Sequence, residues 1–132
     1  MTLEWAQAYL KIPFAEHGRT RAGVDCWGLV RLVLAEQREL TLPDYGRGYD
    51  STDDRDAVPA AIRSGLDEGW QALTEPEPTD LVIFSIFGVP MHCGVMLVER
   101  RFLHARKGAG VVVERLDSPM WARRIEGFYR YG

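Results

Sequence analysis

The repeat of apolar residues changes from a helical to a strand-like period at a Glu-Pro-Glu-Pro connector, residues 75–78, and this change constrains the fold most. Before the connector, apolar residues recur at helical spacing at 3–11, from 25 to a stop before 43, and from a capping segment at 51–54 to about 66. After it come short runs rich in Val, Ile, Phe and Tyr, at 80–87, 92–99, 102–106, 111–116 and 126–131. Helices followed by a meander of strands predict an α+β fold, with N-terminal helices packed on a mostly antiparallel sheet of about five strands.

Length and charge limit the classes of function. The 132 residues fit a single domain spanning 1–132. The net charge of −3 comes without a basic stripe, so we expect no nucleic acid partner. No apolar run reaches transmembrane length, so no membrane insertion is expected. Residues 1–6 lack a basic leader followed by an apolar stretch, which predicts no secretory signal and synthesis in the cytoplasm.

Cys26 stands at the predicted start of the second helix, with Asp25 as its natural N-cap. The unpaired N–H groups and the positive dipole end of a helix N-terminus favour a thiolate. The backbone N–H of Cys26 is also a candidate donor to an oxyanion, and the neighbouring Trp27 is a candidate cleft residue. The alternative interpretation is a buried small apolar residue at a helix start.

His92 and His104 each lie within a strand-like run, and side-chain parity decides whether they share a face of the sheet. A two-residue loop at 100–101 places the rings on opposite faces. A three-residue loop at 99–101 pairs Met96 with His104 and places both rings on one face. A site that uses Cys26 with both histidines therefore predicts an odd-length loop or a bulge.

Other uses of these side chains are less favoured. The two cysteines and these two histidines contain zinc-ligand atoms, but they lack the close spacing of zinc motifs, so no metal and no cofactor is expected. A disulfide framework is not expected from two cysteines, although a single bond between Cys26 and Cys93 stays open. Cys93 is otherwise interpreted as a core residue.

Four motifs in order resemble the NlpC-like cell-wall peptidases, a papain-like cysteine family, over about 13–130. They are Asp25-Cys26-x-Gly28-Leu29-Val30, Pro78-Thr79-Asp80-Leu81, His92-x-Gly94-Val95 and Phe102-Leu103-His104-Ala105. The resemblance implies a papain-like fold with a catalytic triad. Cys26 is then the nucleophile, His92 is the general base and His104 is the polar residue that orients the base.

The resemblance also implies a substrate and a setting. Members of the family hydrolyse amide bonds in peptidoglycan stem peptides, commonly between D-glutamate and the diamino acid. Trp27, where Ser is more usual, and the segment 116–121 look like the branch found in phage tails and gene transfer agents. That branch implies tail or baseplate partners, and a particle that carries the enzyme to the periplasm and cell wall of a target cell.

One position departs from the family pattern. Many members have a Tyr twelve residues before the Cys, thought to support the oxyanion, and this chain has Phe14, which cannot donate a hydrogen bond. Either His17 or backbone N–H groups then compensate, or activity is weak. Two alternatives follow: a tail-tip structural or peptide-binding component without catalysis, and an amidase or acyltransferase acting on another amide.

Overall fold

The computed structural model describes residues 4–132. Its helices are α1 Glu4–Gln7, α2 Cys26–Arg38, α3 Ala57–Leu66 and a short 3-10 turn, Gly46–Gly48. The predicted helix from residue 25 is confirmed, and it ends where Glu39 takes a left-handed conformation. The helix predicted after 51–54 begins at Ala57, because the Asp54 carboxylate accepts the N–H groups of Asp56 and Ala57. Leu3, which belongs to the first helical pattern, lies outside the described residues.

The strands form two antiparallel sheets. The small one pairs β1 Arg19–Thr20 with β2 Gly23–Val24. The large one is built from β3 Trp70–Leu73, β4 Leu81–Ile86, β5 Val89–Met96, β6 Arg101–Arg106, β7 Gly110–Arg115 and β8 Ile125–Tyr131. Its order is β3-β8-β4-β5-β6-β7, and every pairing is antiparallel. The α+β fold is thus confirmed. The large sheet has six strands in the described residues rather than about five, because the short edge strand β3, whose middle residues are exposed, carries no strand-like apolar pattern.

Helix α2 covers one face of the large sheet and forms the main core with it. The fully buried residues of α2 pack with the alternate residues of β4, β5 and β6 that face the helix, and these are Leu29, Val30, Val33, Leu34, Leu81, Ile83, Cys93, Val95, Leu103 and Ala105. The opposite face carries a second cluster, Val82, Phe84, Met96, Phe102, Leu116 and Trp121. Within residues 4–132 no helix has the length and apolar character needed to span a bilayer.

The loop between β5 and β6 has the odd length needed to place His92 and His104 on the same face of the sheet. Arg101 accepts the N–H of Leu97 and donates its own N–H to the carbonyl of Val98. The pairing of Met96 with Phe102 then puts His104 opposite Gly94 instead of Met96. The loop lies at 98–100 rather than 99–101, because Glu99 and Arg100 both adopt positive φ and tighten the turn.

A strained turn precedes β4. The N–H of Asp80 donates to the carbonyl of Glu77, and Thr79 between them has φ of 75°. Pro at the second position and positive φ at the third position are features of a type II turn, which normally has Gly where Thr79 stands. A β-branched residue at positive φ is strained by the approach of its side chain to the backbone.

We expect Thr79→Gly to raise the free energy of unfolding by about 0.5–1 kcal/mol. Relief of left-handed strain, ~1–2 kcal/mol, outweighs the entropy that glycine adds to the unfolded chain, ~0.5–1 kcal/mol. Thr20→Gly is the matched control, since Thr20 lies in β1 without positive φ, and it should lower stability. Urea unfolding of both variants gives the comparison, and equal losses at the two positions would contradict the strain.

Candidate active site

Cys26 is the first residue of α2, and the cap at Asp25 fixes its position. The Asp25 carboxylate accepts the N–H of Gly28 at 2.8 Å, which starts the helix at Cys26. Cys26 is 8% exposed, and its side chain reaches the walls of two cavities. The first N–H groups of a helix have no acceptor within it, so the N–H of Cys26 suits an oxyanion.

The Asp25 side chain is fully buried, and its hydrogen bonds within the protein stabilise the local structure. Besides Gly28, its oxygens accept from the guanidinium of Arg19 at 2.8 Å, the N–H of His17 at 3.1 Å and the hydroxyl of Tyr49. Buried carboxylates persist when each oxygen is hydrogen-bonded. Asp25, predicted as a substrate or oxyanion residue, therefore ties the segments on both sides of α2 to its first turn, next to Cys26.

A chain of hydrogen bonds runs across three neighbouring strands. His92 on β5 and His104 on β6 meet at 2.7 Å between Nε2 and Nδ1. His104 Nε2 lies 2.5 Å from Oε2 of Glu114 on β7. A Cβ at Gly94 would lie 2.9 Å from the carbonyl oxygen of Leu103, so only glycine permits this close approach of β5 to β6. We call His92, His104 and Glu114 the relay.

Trp121 covers the relay. Its indole stacks on the His92 ring, with centroids 5.6 Å apart, and meets the His104 ring edge-on at 5.1 Å. Its Nε1 donates to Glu114 Oε2 at 3.1 Å. The sequence predicted neither Glu114 nor Trp121 as part of the site. The available sign was a single carboxylate within the apolar run of β7, in a register that places Glu114 on the face of His104.

Hydrogen bonding shifts the pKa values of the two thiols, Cys26 and Cys93, in opposite directions. Hydrogen bonding to the Cys93 thiol lowers the pKa of Cys26, and hydrogen bonding to His92 and its charge lower it further, while burial opposes both. Hydrogen bonding to Cys26 and burial raise the pKa of Cys93. Cys93 thus stays a thiol donor beside a Cys26 thiolate. Both cysteines are free, so the disulfide left open by the sequence is absent from the described residues.

His104 stays neutral although a carboxylate adjoins it. Burial lowers its pKa to about 2, with further contributions from the charges of His92 and Arg106. Its contact with Glu114 has the length of an ion pair. Because burial keeps the ring uncharged, this contact is a hydrogen bond between a neutral imidazole and a carboxylate.

Two cavities meet at Cys26. The first, of about 60 Å³, is apolar, and its wall includes Cys26, Trp27, Tyr45, Ile62, Leu66, Trp70 and Cys93. The second, of about 350 Å³, carries charged groups, and its wall includes Phe14, Cys26, Asp53, Arg55, His92, Arg106, Lys107 and Trp121. A substrate that extends to both sides of the thiol has space in each direction.

The remaining predicted residues differ in their placement. Trp27 lines the first cavity, as the sequence suggests, and donates its indole N–H to the carbonyl of Pro43. Phe14 lines the second cavity beneath the ammonium of Lys107, 5.8 Å from the ring centre. The described walls of both cavities leave out His17, whose ring stacks on Tyr49 and bonds to its carbonyl at 2.6 Å. This placement gives no support to His17 as the compensating oxyanion donor.

The described part of the chain contains no group of three or more His, Cys, Asp or Glu side chains arranged to hold a metal ion. The lowered pKa of Cys26 and the bond that holds the His92 ring suit nucleophilic chemistry at the thiol.

Comparison with known proteins identifies the family of the chain. The NlpC/P60 family matches residues 11–130. The chain is 28% identical over 107 residues to "Murein DD-endopeptidase MepS/Murein LD-carboxypeptidase" of Escherichia coli K12, covering 81% of this chain and 49% of that protein. It is 28% identical over 121 residues to "Probable endopeptidase NlpC" of the same organism, covering 90% and 69%. It thus spans about half the length of the first relative.

Solved structures agree on the fold. An NLP/P60 family protein similar to a lipoprotein, from Staphylococcus aureus, superposes with a TM-score of 0.68 at 21% identity, over 98% of this chain and 39% of that one. With a family match that spans nearly all of its residues and the same fold, the chain belongs to the NlpC/P60 family.

Proposed function

We propose that this protein is a cysteine endopeptidase that hydrolyses amide bonds in peptidoglycan stem peptides, between D-glutamate and the diamino acid. The observation that carries the proposal is a thiol of lowered pKa at a helix N-terminus, beside His92 and between two cavities. Relatives of the family named as murein and NlpC endopeptidases support the substrate class.

The reaction follows from the contacts. Nε2 of His92 is engaged by His104, so Nδ1 is the nitrogen that takes the proton of Cys26. The thiolate then attacks the amide carbonyl, and the His92 imidazolium returns its proton to the leaving amine as the C–N bond breaks. His92 next takes a proton from water, which attacks the thioester. The C–S bond breaks, the acyl group leaves as a carboxylic acid, and Cys26 is restored as a thiolate beside the His92 imidazolium. Cys26 and His92 are the catalytic residues, and His104 positions His92.

Oxyanion support rests on the backbone. Phe14 adds no donor, and a lost oxyanion donor costs ~2.7–4 kcal/mol of transition-state stabilisation where it is used. The N–H of Cys26, at the start of α2, is the donor that the proposal assigns. The departure at Phe14 therefore lowers the expected rate without removing the nucleophile or the base.

We further propose delivery on a phage-like or gene-transfer-agent tail, with tail or baseplate proteins as partners. The support is the sequence resemblance at Trp27 and in 116–121. In producing cells, the protein should co-sediment with tail particles through a density gradient, as measured by peptide mass spectrometry. Complete separation of the protein from the particles would contradict this part of the proposal.

Digestion of purified sacculi tests the activity. Wild type should release soluble muropeptides, and Cys26→Ala should release none above the blank, because loss of a hydrolase nucleophile lowers kcat by about 10⁶-fold. Ser64→Ala, an exposed change on α3, should act like wild type. Fragments whose stem ends at D-glutamate identify the proposed bond by mass. Equal release by wild type and Cys26→Ala would refute the catalytic role.

The pH dependence of alkylation tests the thiolate. A lowered pKa populates thiolate at lower pH, so iodoacetamide should modify Cys26 with a midpoint well below the ~8.5 of an ordinary thiol. His92→Ala should move that midpoint upward, because the hydrogen bond and positive charge are lost. Peptide mapping separates Cys26 from Cys93, whose raised pKa keeps it unreactive in this range. A wild-type midpoint at or above 8.5 would contradict an activated nucleophile.

A further inference from the structure

The relay continues past His104 to a carboxylate, and both of its links follow from strand register. His104 pairs with Val112 and Phe102 pairs with Glu114, so Glu114 is a diagonal neighbour of His104 on the same face. The β5–β6 register makes His92 the diagonal neighbour on the other side. Diagonal neighbours lie within reach of long and aromatic side chains.

We propose that Glu114 is a positioning residue, which fixes the proton arrangement of both histidine rings so that Nδ1 of His92 faces Cys26 as a proton acceptor. The proposal deepens the proposed function and rests on it for its kinetic consequence. The proton arrangement itself is a property of the free protein.

Counting donors and acceptors gives the arrangement. Trp121 donates to Oε2 of Glu114 and Arg106 donates to Oε1 at 3.3 Å, so the carboxylate acts as an acceptor. The contact between Oε2 and Nε2 of His104 then requires a proton on that nitrogen. A neutral imidazole carries one N–H, so Nδ1 of His104 accepts.

The proton arrangement of His104 determines that of His92, which faces the Cys26 thiol. Because Nδ1 of His104 accepts, Nε2 of His92 donates across the 2.7 Å contact. A neutral His92 then has its lone pair on Nδ1, the nitrogen left for Cys26. When His92 is protonated, the same Nε2–H bond to His104 is kept, so the arrangement serves both steps of proton transfer.

The charged surroundings leave Glu114 as the acceptor for this ring. The titratable and charged groups acting on the relay and its thiol are Arg19, Asp25, Cys26, His92, Cys93, Arg106 and Glu114. Arg106 contacts the carboxylate through the oxygen that His104 does not use. Trp121, which packs on both rings, is neutral and donates to the carboxylate.

Two substitutions at Glu114 distinguish a role as hydrogen-bond acceptor from a role in packing alone. Glu114→Met keeps the length of the side chain and removes both oxygens, whereas Glu114→Gln removes the charge and keeps one acceptor oxygen. The Glu114 side chain is a quarter exposed, so neither change leaves a large cavity. Glu126→Met is the matched control, because Glu126 stands on β8 of the same sheet and bonds to Ser85.

The decisive measurement is the tautomer of His104, read from two-bond ¹H–¹⁵N spectra of histidine-labelled protein. The chain has only three histidines, which keeps assignment simple. Wild type, Glu114→Gln and Glu126→Met should carry the His104 proton on Nε2. Glu114→Met should carry it on Nδ1, since an N–H on Nε2 facing a methionine has no acceptor, whereas an N–H on Nδ1 has one in Nε2 of His92. A His104 that keeps its Nε2 proton in Glu114→Met would overturn the proposal.

The consequence for Cys26 needs no substrate. With Nδ1 of His104 protonated, a protonated His92 would face it N–H to N–H, so the thiolate–imidazolium pair is lost. The alkylation midpoint of Cys26 should move upward in Glu114→Met and stay near wild type in Glu114→Gln and Glu126→Met. An unchanged midpoint in a folded Glu114→Met would also overturn the proposal.

Kinetics on soluble muropeptides completes the test. Glu114→Met should lower kcat by about 10²–10⁴-fold, the usual contribution of general acid–base catalysis, with KM unchanged. Glu114→Gln should stay within about 10-fold, because a neutral acceptor gives roughly half the strength of a charged one. Wild type that cleaves no peptidoglycan, together with the expected tautomer and alkylation shifts, would refute the proposed function and leave the role of Glu114 supported.

Discussion

The buried carboxylate of Asp25 is the interaction on which the site depends. Two donors bond to each of its oxygens: Gly28 and Arg19 to one, His17 and Tyr49 to the other. These donors come from the first turn of α2, from the segment before it that includes β1, and from the loop after it. Hydrogen bonds to a charged group contribute about 1.5–3 kcal/mol each, and an unpaired buried carboxylate costs more than that. One side chain therefore fixes the helix start, and with it the position of Cys26.

Cys26 and Cys93 are neighbouring thiols whose pKa values shift in opposite directions. Cys93 belongs to the core that α2 makes with the sheet, as the sequence suggests. Its thiol also lies next to Cys26, so the pKa of Cys26 falls while that of Cys93 rises. A buried thiolate normally costs free energy by desolvation. Here hydrogen bonding to the Cys93 thiol on one side, and the hydrogen bond and charge of His92 on the other, offset that cost.

The sequence predicted the fold and the first two residues of the relay, His92 and His104, but not Glu114. The reasons are physical. The start of α2 and the shared face of the two histidines depend on local rules, namely helix capping and strand parity, that act over a few residues. The loop was predicted at 99–101 and lies at 98–100. Its residues with positive φ are not glycines, so the sequence does not indicate where the tight turn falls. Glu114 was missed because its partner lies one strand away, and only the β6–β7 register brings the two together.

The division of the site between a helix and a sheet makes the proposed catalysis depend on core packing. Cys26, the proposed nucleophile, stands on α2, whereas His92 stands on β5 with the rest of the relay on the next two strands. The relay lies within one sheet, in which β6 pairs with β7 along its whole length and with β5 at Val95 and Met96. The distance between thiol and imidazole is instead set by buried apolar contacts between α2 and the sheet. Since a displacement of about 1 Å can cost about 10²-fold in rate, the proposed mechanism makes the rate depend on core residues at this interface that are remote from the substrate.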